Sequence, residues 1–395
     1  MKSLLRRMFS RRPKPTSRSA RRCLRAEALE ARLVPAGVLA VGSGPGSPPV
    51  VSLFHDSNND GFPDGSPYAM FSVLVPGFRG GVRVAVGHFT SAATLQLAVA
   101  GGRGGPPTVQ IYQLNANDLP NLAPESFQAL GPTFRGGLNV QRANLLGTGL
   151  DSLIVAADSG RPTVNVYNDT TAINGAVPGD QLLGNSRIDT FLAFPASFHG
   201  GVRLAAGRNL AAAGGDFVVL ATGPGTASKV TIVRDANSNL LLSDNLATAE
   251  SFAPFGPAWK NGIYVALGDA GSPSTNPELI VSKGPGGSPT VAIFSDSNLN
   301  GLYADDGGPA STFLAYDASF RGGVQVAYSR LSSANVGQSG EVVVTPVTGI
   351  VSGEVFKSKT NTGEIQAGDA PFGEFFPFGP FFGHGFTAAF GGNGT

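Results

Sequence analysis

Phe71 opens a segment that ends in Phe78-Arg79-Gly80-Gly81, and the same figure returns along the chain. It reads Phe127 to Phe134-Arg135-Gly136-Gly137, Phe191 to Phe198-His199-Gly200-Gly201 and Phe252 to Trp259-Lys260-Asn261-Gly262. It continues as Phe313 to Phe320-Arg321-Gly322-Gly323 and, in altered form, Phe375 to Phe382-Gly383-His384-Gly385. Successive first Phe residues are 56, 64, 61, 61 and 62 residues apart. A repeat of this length is one supersecondary unit that buries its apolar face only against its neighbours.

Each figure leads into a short apolar stretch such as Val82-Arg-Val-Ala-Val86 or Ile263-Tyr-Val-Ala-Leu267. A nearly continuous apolar run follows, for example Leu153-Ile-Val155 or Phe217-Val-Val-Leu-Ala221. After a Gly/Pro turn comes a third run, Thr108-Val-Gln-Ile-Tyr112 or Thr163-Val-Asn-Val-Tyr167, and the marker Phe begins a fourth. Four short β-branched and aromatic strands between Gly/Pro turns are the pattern of a propeller blade. Blades bury both sheet faces, which accounts for runs that are apolar without alternation. The glycine pair suits a tight crossing between blades, and the two aromatics are expected to plug the gaps there. The expected fold is all-β, a six-bladed β-propeller with four-stranded blades over residues 37–395. The chain enters in phase with a second strand (Gly37 to Gly42) and leaves in phase with a first (Phe386 to Phe390). The ring is therefore expected to close by pairing 386–391 with the N-terminal blade, the VRVAV-type strand being innermost and the marker Phe strand outermost.

Composition agrees. Of 395 residues, 55 are Gly and 29 Pro, while 42% are hydrophobic and 14% charged. The Gly and Pro content excludes a long-helix protein and the charge and hydrophobic balance a disordered one. One cysteine excludes a disulfide framework and a multi-Cys zinc site. Residues 1–36 form a separate basic leader with eleven Lys and Arg against two acids. The remainder carries an excess of acids, which argues against nucleic-acid binding. No apolar stretch in the leader is long enough for a standard signal peptide, and no run is suited to a membrane helix.

The strand Val82-Arg-Val-Ala-Val-Gly87, the Leu-Ile-Val strands 153–155 and 279–281 and the turn and strand Gly284-Pro-Gly-Gly-Ser-Pro-Thr-Val291 resemble the FG-GAP/VCBS class of bacterial propellers, related in fold to the integrin alpha-chain propeller. Leu29-Glu-Ala-Arg-Leu-Val-Pro-Ala36 is similar to a short motif preceding repeat domains in some bacterial surface and secreted proteins. The resemblance implies a secreted or cell-surface, monomeric binding or display module whose partner is an extracellular glycan or protein. The calcium loop that family often carries between its first two strands has no carboxylate counterpart in His88 to Thr94.

Calcium-like spacing occurs elsewhere. Asp56, Asn58, Asp60 and Asp64 follow the third strand of the first unit, with Gly61 at the turn. Asp296, Asn298 and Asn300, with Gly301, repeat the figure in the fifth unit, and Asp235-Ala-Asn237-Ser-Asn239 is a poorer copy with Leu240 in place of Gly. Oxygens at alternate positions around a sharp turn suit a hard cation, and equally a metal-free Asx turn. A second candidate is the basic residue after the second aromatic: Arg79, Arg135, His199, Lys260 and Arg321. By symmetry these cations share one face of the ring, where they either meet an anionic ligand or bond their own turns. Acids are scattered and the four histidines lie in different loops, so a glycoside hydrolase or polysaccharide lyase is the weaker alternative, beside a purely structural scaffold.

Overall fold

The computed structural model describes residues 37–56, 62–147, 149–170, 182–207, 215–270, 277–298, 300–329, 340–349, 352–357, 365, 369–378 and 384–391. Contacts divide the chain into Met1–Leu33 and Val34–Thr395, and every described residue belongs to the second unit. The expectation for the leader falls outside the described residues.

The second unit is a six-bladed β-propeller, each blade a four-stranded antiparallel sheet. Blade 2 shows the order from axis to rim: Val82–Gly87, Gln96–Gly101, Thr108–Gln113 and Glu125–Gln128. The innermost strands of blades 3 to 6 are Leu138–Ala143, Val202–Gly207, Ile263–Gly268 and Val324–Ser329. In blade 1 the innermost strand is Phe386–Gly391, from the other end of the chain. It pairs antiparallel with Val38–Ser43, with Leu39 opposite Phe390 and Ser43 opposite Phe386. Closure is as the phase of the repeats requires. The six innermost strands touch one another in a closed circuit around the axis. Helix is confined, among the described residues, to the 3-10 turns Leu183–Asn185 and Ser243–Thr248.

Second strands such as Ser152–Ala157 and Phe217–Thr222 are buried at every position, because a neighbouring blade covers each face. The marker Phe fills the wedge between blades. Phe71 meets Tyr112 of the next blade with ring centroids 5.4 Å apart, and Phe127 meets Tyr167 at 5.0 Å. Phe252 with Phe294, Phe313 with Phe356 and Phe375 with Phe54 repeat the contact at 5.3, 4.8 and 6.1 Å. The junction of blades 3 and 4 differs, because Val233 occupies the partner place and packs with Phe191 in an aliphatic core.

The glycine pair marks the crossing from blade to blade. Gly81 has φ +86°, and a Cβ on it would lie 2.9 Å from the Pro45 nitrogen in the turn of the blade just left. A Cβ on Gly80 would lie 2.1 Å from the Arg103 carbonyl oxygen in the turn of the blade about to begin. The chain thus threads between two turns with no space for side chains. The basic residue before the pair fixes the crossing through its backbone. The Arg79 carbonyl accepts from Gly46 N–H at 2.7 Å, and the Arg135, His199, Lys260 and Arg321 carbonyls accept from Gly104, Gly160, Gly225 and Gly286 at 2.8–2.9 Å.

Removing residues 386–395 should abolish the single cooperative unfolding transition, because blade 1 loses its inner strand and the ring opens; a truncated chain with an unchanged denaturation curve would contradict closure. Phe313→Ala should cost about 3–5 kcal/mol in chemical denaturation, from lost burial and the cavity left against Phe356.

Candidate functional site at the crossover end of the channel

The turns between second and third strands and the crossings between blades lie on one face, termed here the crossover face. Loops joining first to second and third to fourth strands lie on the other. This follows from the up-and-down strand order and sorts the sequence candidates.

Arg79, Arg135, His199, Lys260 and Arg321 are all exposed and lie on the crossover face. Three of their side chains turn back on their own loops. Arg135 Nη1 donates to the Pro132 and Phe134 carbonyls at 2.8 and 2.7 Å. Arg321 Nη1 donates to the Ala318 and Phe320 carbonyls, and His199 Nδ1 lies 2.8 Å from the Ser197 carbonyl oxygen. The structure brings the five residues to one rim without joining them in a cluster. Of the five, Arg79 also borders the cavity at the end of the channel.

The densest group of charge lies inward of that rim. The second residue of each innermost strand forms one level around the axis: Arg83, Asn139, Arg203, Tyr264, Gln325 and Thr387. Several tie the blades together here. Thr387 Oγ1 donates to the Val82 carbonyl at 2.7 Å, and Asn139 Nδ2 donates to the Val202 carbonyl at 2.7 Å. Asp158, only 3% exposed, begins the turn after the second strand of blade 3 and meets three arginines. Arg203 Nη1 lies 2.6 Å from its Oδ1, and Arg83 Nη2 and Arg103 Nε each lie 3.8 Å from its Oδ2. Asn139 Nδ2 donates to Oδ1 at 3.3 Å. Burial alone would raise the Asp158 carboxyl, but Arg203, Arg83 and Arg103 together hold it below the usual carboxylate range. Burial would equally lower the Arg203 guanidinium, and the Asp158 charge outweighs it, so Arg203 stays protonated. Its guanidinium carbon lies 5.2 Å from the Tyr264 ring centroid.

The crossing glycines position this group. A Cβ on Gly201 would meet the Asp158 carbonyl oxygen at 2.1 Å, and one on Gly137 the Arg103 nitrogen at 2.5 Å. The repeat signal did not single out Arg83, Arg103, Asp158 or Arg203. The clue available was a charged residue in second place of an otherwise apolar inner strand, in Val82-Arg83 and Val202-Arg203.

The Asp/Asn loops lie on the opposite face. Asp56 is buried, and Asn58 and Asp60 lie outside the described residues. Asp64 N–H donates to the His55 carbonyl at 2.9 Å. In the fifth blade, Asp296 accepts from Asn300 N–H at 3.0 Å and Gly301 N–H at 2.7 Å. The Asn298 and Asn300 amides donate to Asp305 Oδ2 at 3.4 and 2.7 Å. The 235–244 loop forms the same figure, with Asn237 and Asn239 donating to Asp244 at 2.9 and 2.8 Å. Leu240 takes the glycine's left-handed place at φ +66° and buries its side chain in compensation. Among the described residues no group of three or more His, Cys, Asp and Glu converges as a metal cluster.

Three acids act as clamps between blades. Glu125 accepts from Leu183 and Gly184 N–H, Asp189 from Ser243 N–H and Glu250 from Tyr303 and Ala304 N–H, each across a blade boundary. His55 is half-buried: its ring stacks on Tyr68 at 3.9 Å and its Nε2 lies 3.0 Å from Asp118 Oδ2.

No protein family model and no curated protein matches the chain. Among solved structures it is similar to one titled "Structure of Dos1 propeller", with 14% identity and TM-score 0.42, covering 85% of this chain and 67% of that one. A second, titled "Crystal structure of the eukaryotic initiation factor", matches at 17% identity and TM-score 0.31, covering 82% of this chain and 60% of that one. Among the described residues no helix is long and apolar enough to cross a membrane.

Glu354 and Glu374 stand directly opposite each other on the two outer strands of blade 6. Burial first, and Glu374 second, push the Glu354 carboxyl up to about 7. The unfolded chain releases that proton near 4.5, so the fold binds it more tightly between those values and loses stability as pH rises through this window. Glu354→Gln should therefore raise the melting temperature above pH ~8 and leave it unchanged below the window, as thermal denaturation at the two pH values would read out.

Proposed function

We propose that the chain is a non-enzymatic, exported or surface-associated propeller that binds an acidic extracellular partner, an anionic glycan foremost, through its crossover face. The observation that carries this reading is the rim of five exposed basic residues on one face, four of them Arg or Lys, each anchored at its backbone by a turn N–H of the adjoining blade. Rigid presentation lowers the entropy cost of engaging a repeating anion. The resemblance of the inner and second strands to FG-GAP/VCBS propellers, and of residues 29–36 to leaders of bacterial surface proteins, supports an extracellular setting.

Full-length protein should bind a polyuronate in preference to a neutral glucan. The combined Arg135→Ala, Lys260→Ala and Arg321→Ala variant should bind more weakly, and added salt should erode binding, since exposed charges are screened. Equal retention of acidic and neutral polymers would overturn the reading.

Calcium belongs to the proposal as a stabiliser of the two loops on the other face. Asp296, Asn298, Asn300 and Asp305 would hold it as hard oxygen donors from one loop, once the two amides turn from donating N–H to Asp305 and present their oxygens to the ion. Asp56, Asn58, Asp60 and Asp64 are the corresponding set in blade 1. Calcium should raise the melting temperature, and Asn298→Ala combined with Asn58→Ala should remove the rise; absence of any rise in the parent chain eliminates the metal.

A further inference from the structure

The crossover end of the channel holds a cavity of about 390 Å³. Arg79, Arg83, Arg103 and Arg203 line it, with Asp158 as the sole acid among the described lining residues. Tyr264, Pro224, Pro285 and Ile263 contribute an apolar wall. We propose that this cavity binds a small organic carboxylate carried on a body with an apolar face, of the chemical class of a hexuronate. The proposal rests on the reading of the crossover face as the ligand-facing one, and it gives that face a specific anchor.

Charge makes the first argument. Three guanidinium groups surround one carboxylate, and an arginine cannot shed its proton to relieve the excess. A buried or half-buried cation without a counter-charge is costly, so the remaining charge favours an incoming anion.

Geometry makes the second. Arg203 takes up Asp158 Oδ1 at 2.6 Å. Arg83 Nη2 and Arg103 Nε stand 3.8 Å from Oδ2, within ion-pair range but beyond a hydrogen bond. Arg83 otherwise donates through Nε to Asn139 at 3.3 Å and through Nη1 to the Val82 carbonyl at 3.4 Å. Arg103, whose side chain is 56% exposed, makes that single loose pair. Two guanidinium edges with donors to spare therefore border one cavity. Such forks match a carboxylate's paired oxygens. The Tyr264 ring and the prolines offer flat apolar contact of the kind that a sugar ring's C–H face accepts.

The third argument is departure from the repeat. Asp158 stands where blades 1, 2, 4 and 5 carry Gly44, Gly102, Gly223 and Gly284 and blade 6 carries Val347, and Arg103 stands where blades 1, 4 and 5 carry Pro45, Pro224 and Pro285 and blades 3 and 6 carry Ser159 and Thr348. Glycine and proline satisfy the turn in those blades, so the turn itself does not call for an acid or an arginine. The two substitutions occur in adjacent blades, and both side chains line the same cavity as the two inner-strand arginines.

Calorimetric titration of the full chain with glucuronate, and with glucose as the neutral control, tests this. Glucuronate should bind and glucose should not. Arg83→Ala and Arg103→Ala should each weaken glucuronate about tenfold, the loss expected for one charge-assisted contact. Asp158→Asn should lower the melting temperature without ligand and recover it with glucuronate, since the anion restores the missing negative charge; Arg103→Ala, at an exposed site, keeps the test valid if that variant fails to fold. Silence toward glucuronate at millimolar concentration, or binding indifferent to both arginine variants, would overturn the site. Preferential polyuronate retention by the parent chain, combined with a silent glucuronate titration, would overturn the cavity while leaving the face reading intact. Glucuronate binding by a chain that shows no preference for polyuronate would do the reverse.

Discussion

Steric exclusion at the crossings sets the architecture. The chain leaves each rim strand, passes between two backbone turns and dives to the axis, and the second glycine of the pair lies where a Cβ would strike the turn of the blade behind it, as at Gly81 and Gly137. That contact, with the N–H bond from the turn to the preceding carbonyl, fixes the offset between successive blades. The marker Phe then fills the widening wedge toward the rim by stacking on the next blade's aromatic. Blade spacing, ring closure and the channel all follow from repeating this one junction until Phe386–Gly391 meets Val38–Ser43.

The junction also determines where charge resides. A residue beside a crossing has its backbone committed, and its exposed side chain either turns back on its own loop, as Arg135 and Arg321 do, or borders the cavity at the channel end, as Arg79 does. The second residue of an inner strand faces the channel, where side chains from different blades meet. Arg83 and Arg203 come from blades 2 and 4, and Asn139 from the blade between joins them to Asp158. Charge that is dispersed in the chain becomes concentrated at the axis. The acids have a different fate: Glu125, Asp189 and Glu250 bond backbone N–H groups across blade boundaries and act as clamps. Glu354 has its proton affinity raised by burial first and by the facing Glu374 second.

Blade number, strand order and the closing pair were legible in the chain. Phe spacing, Gly/Pro turns and strand phase are local signals that repeat, and repetition removes the ambiguity of any single copy. The plugging role of the marker Phe was legible too, and holds at Phe191, where the partner is the aliphatic Val233. The candidate site was half legible. The rim cations recur and so were visible, whereas Asp158 and Arg103 are each unique to one blade, and a search for recurrence passes over them. In the 235–244 turn Leu240 breaks the glycine pattern, yet its left-handed backbone is held by Asp235 and its side chain is buried.

What the amino-acid order dictated is the unit and the number of times it is used, because backbone sterics, apolar burial and turn chemistry act over a few residues. What required folded coordinates is the company each charged side chain keeps. Arg83, Asp158 and Arg203 are far apart in the chain, and only the rotation from blade to blade, compounded around the axis, brings them within ion-pairing distance. Coulomb interaction depends on separation in space and on burial, and neither is written in the spacing of residues along a chain.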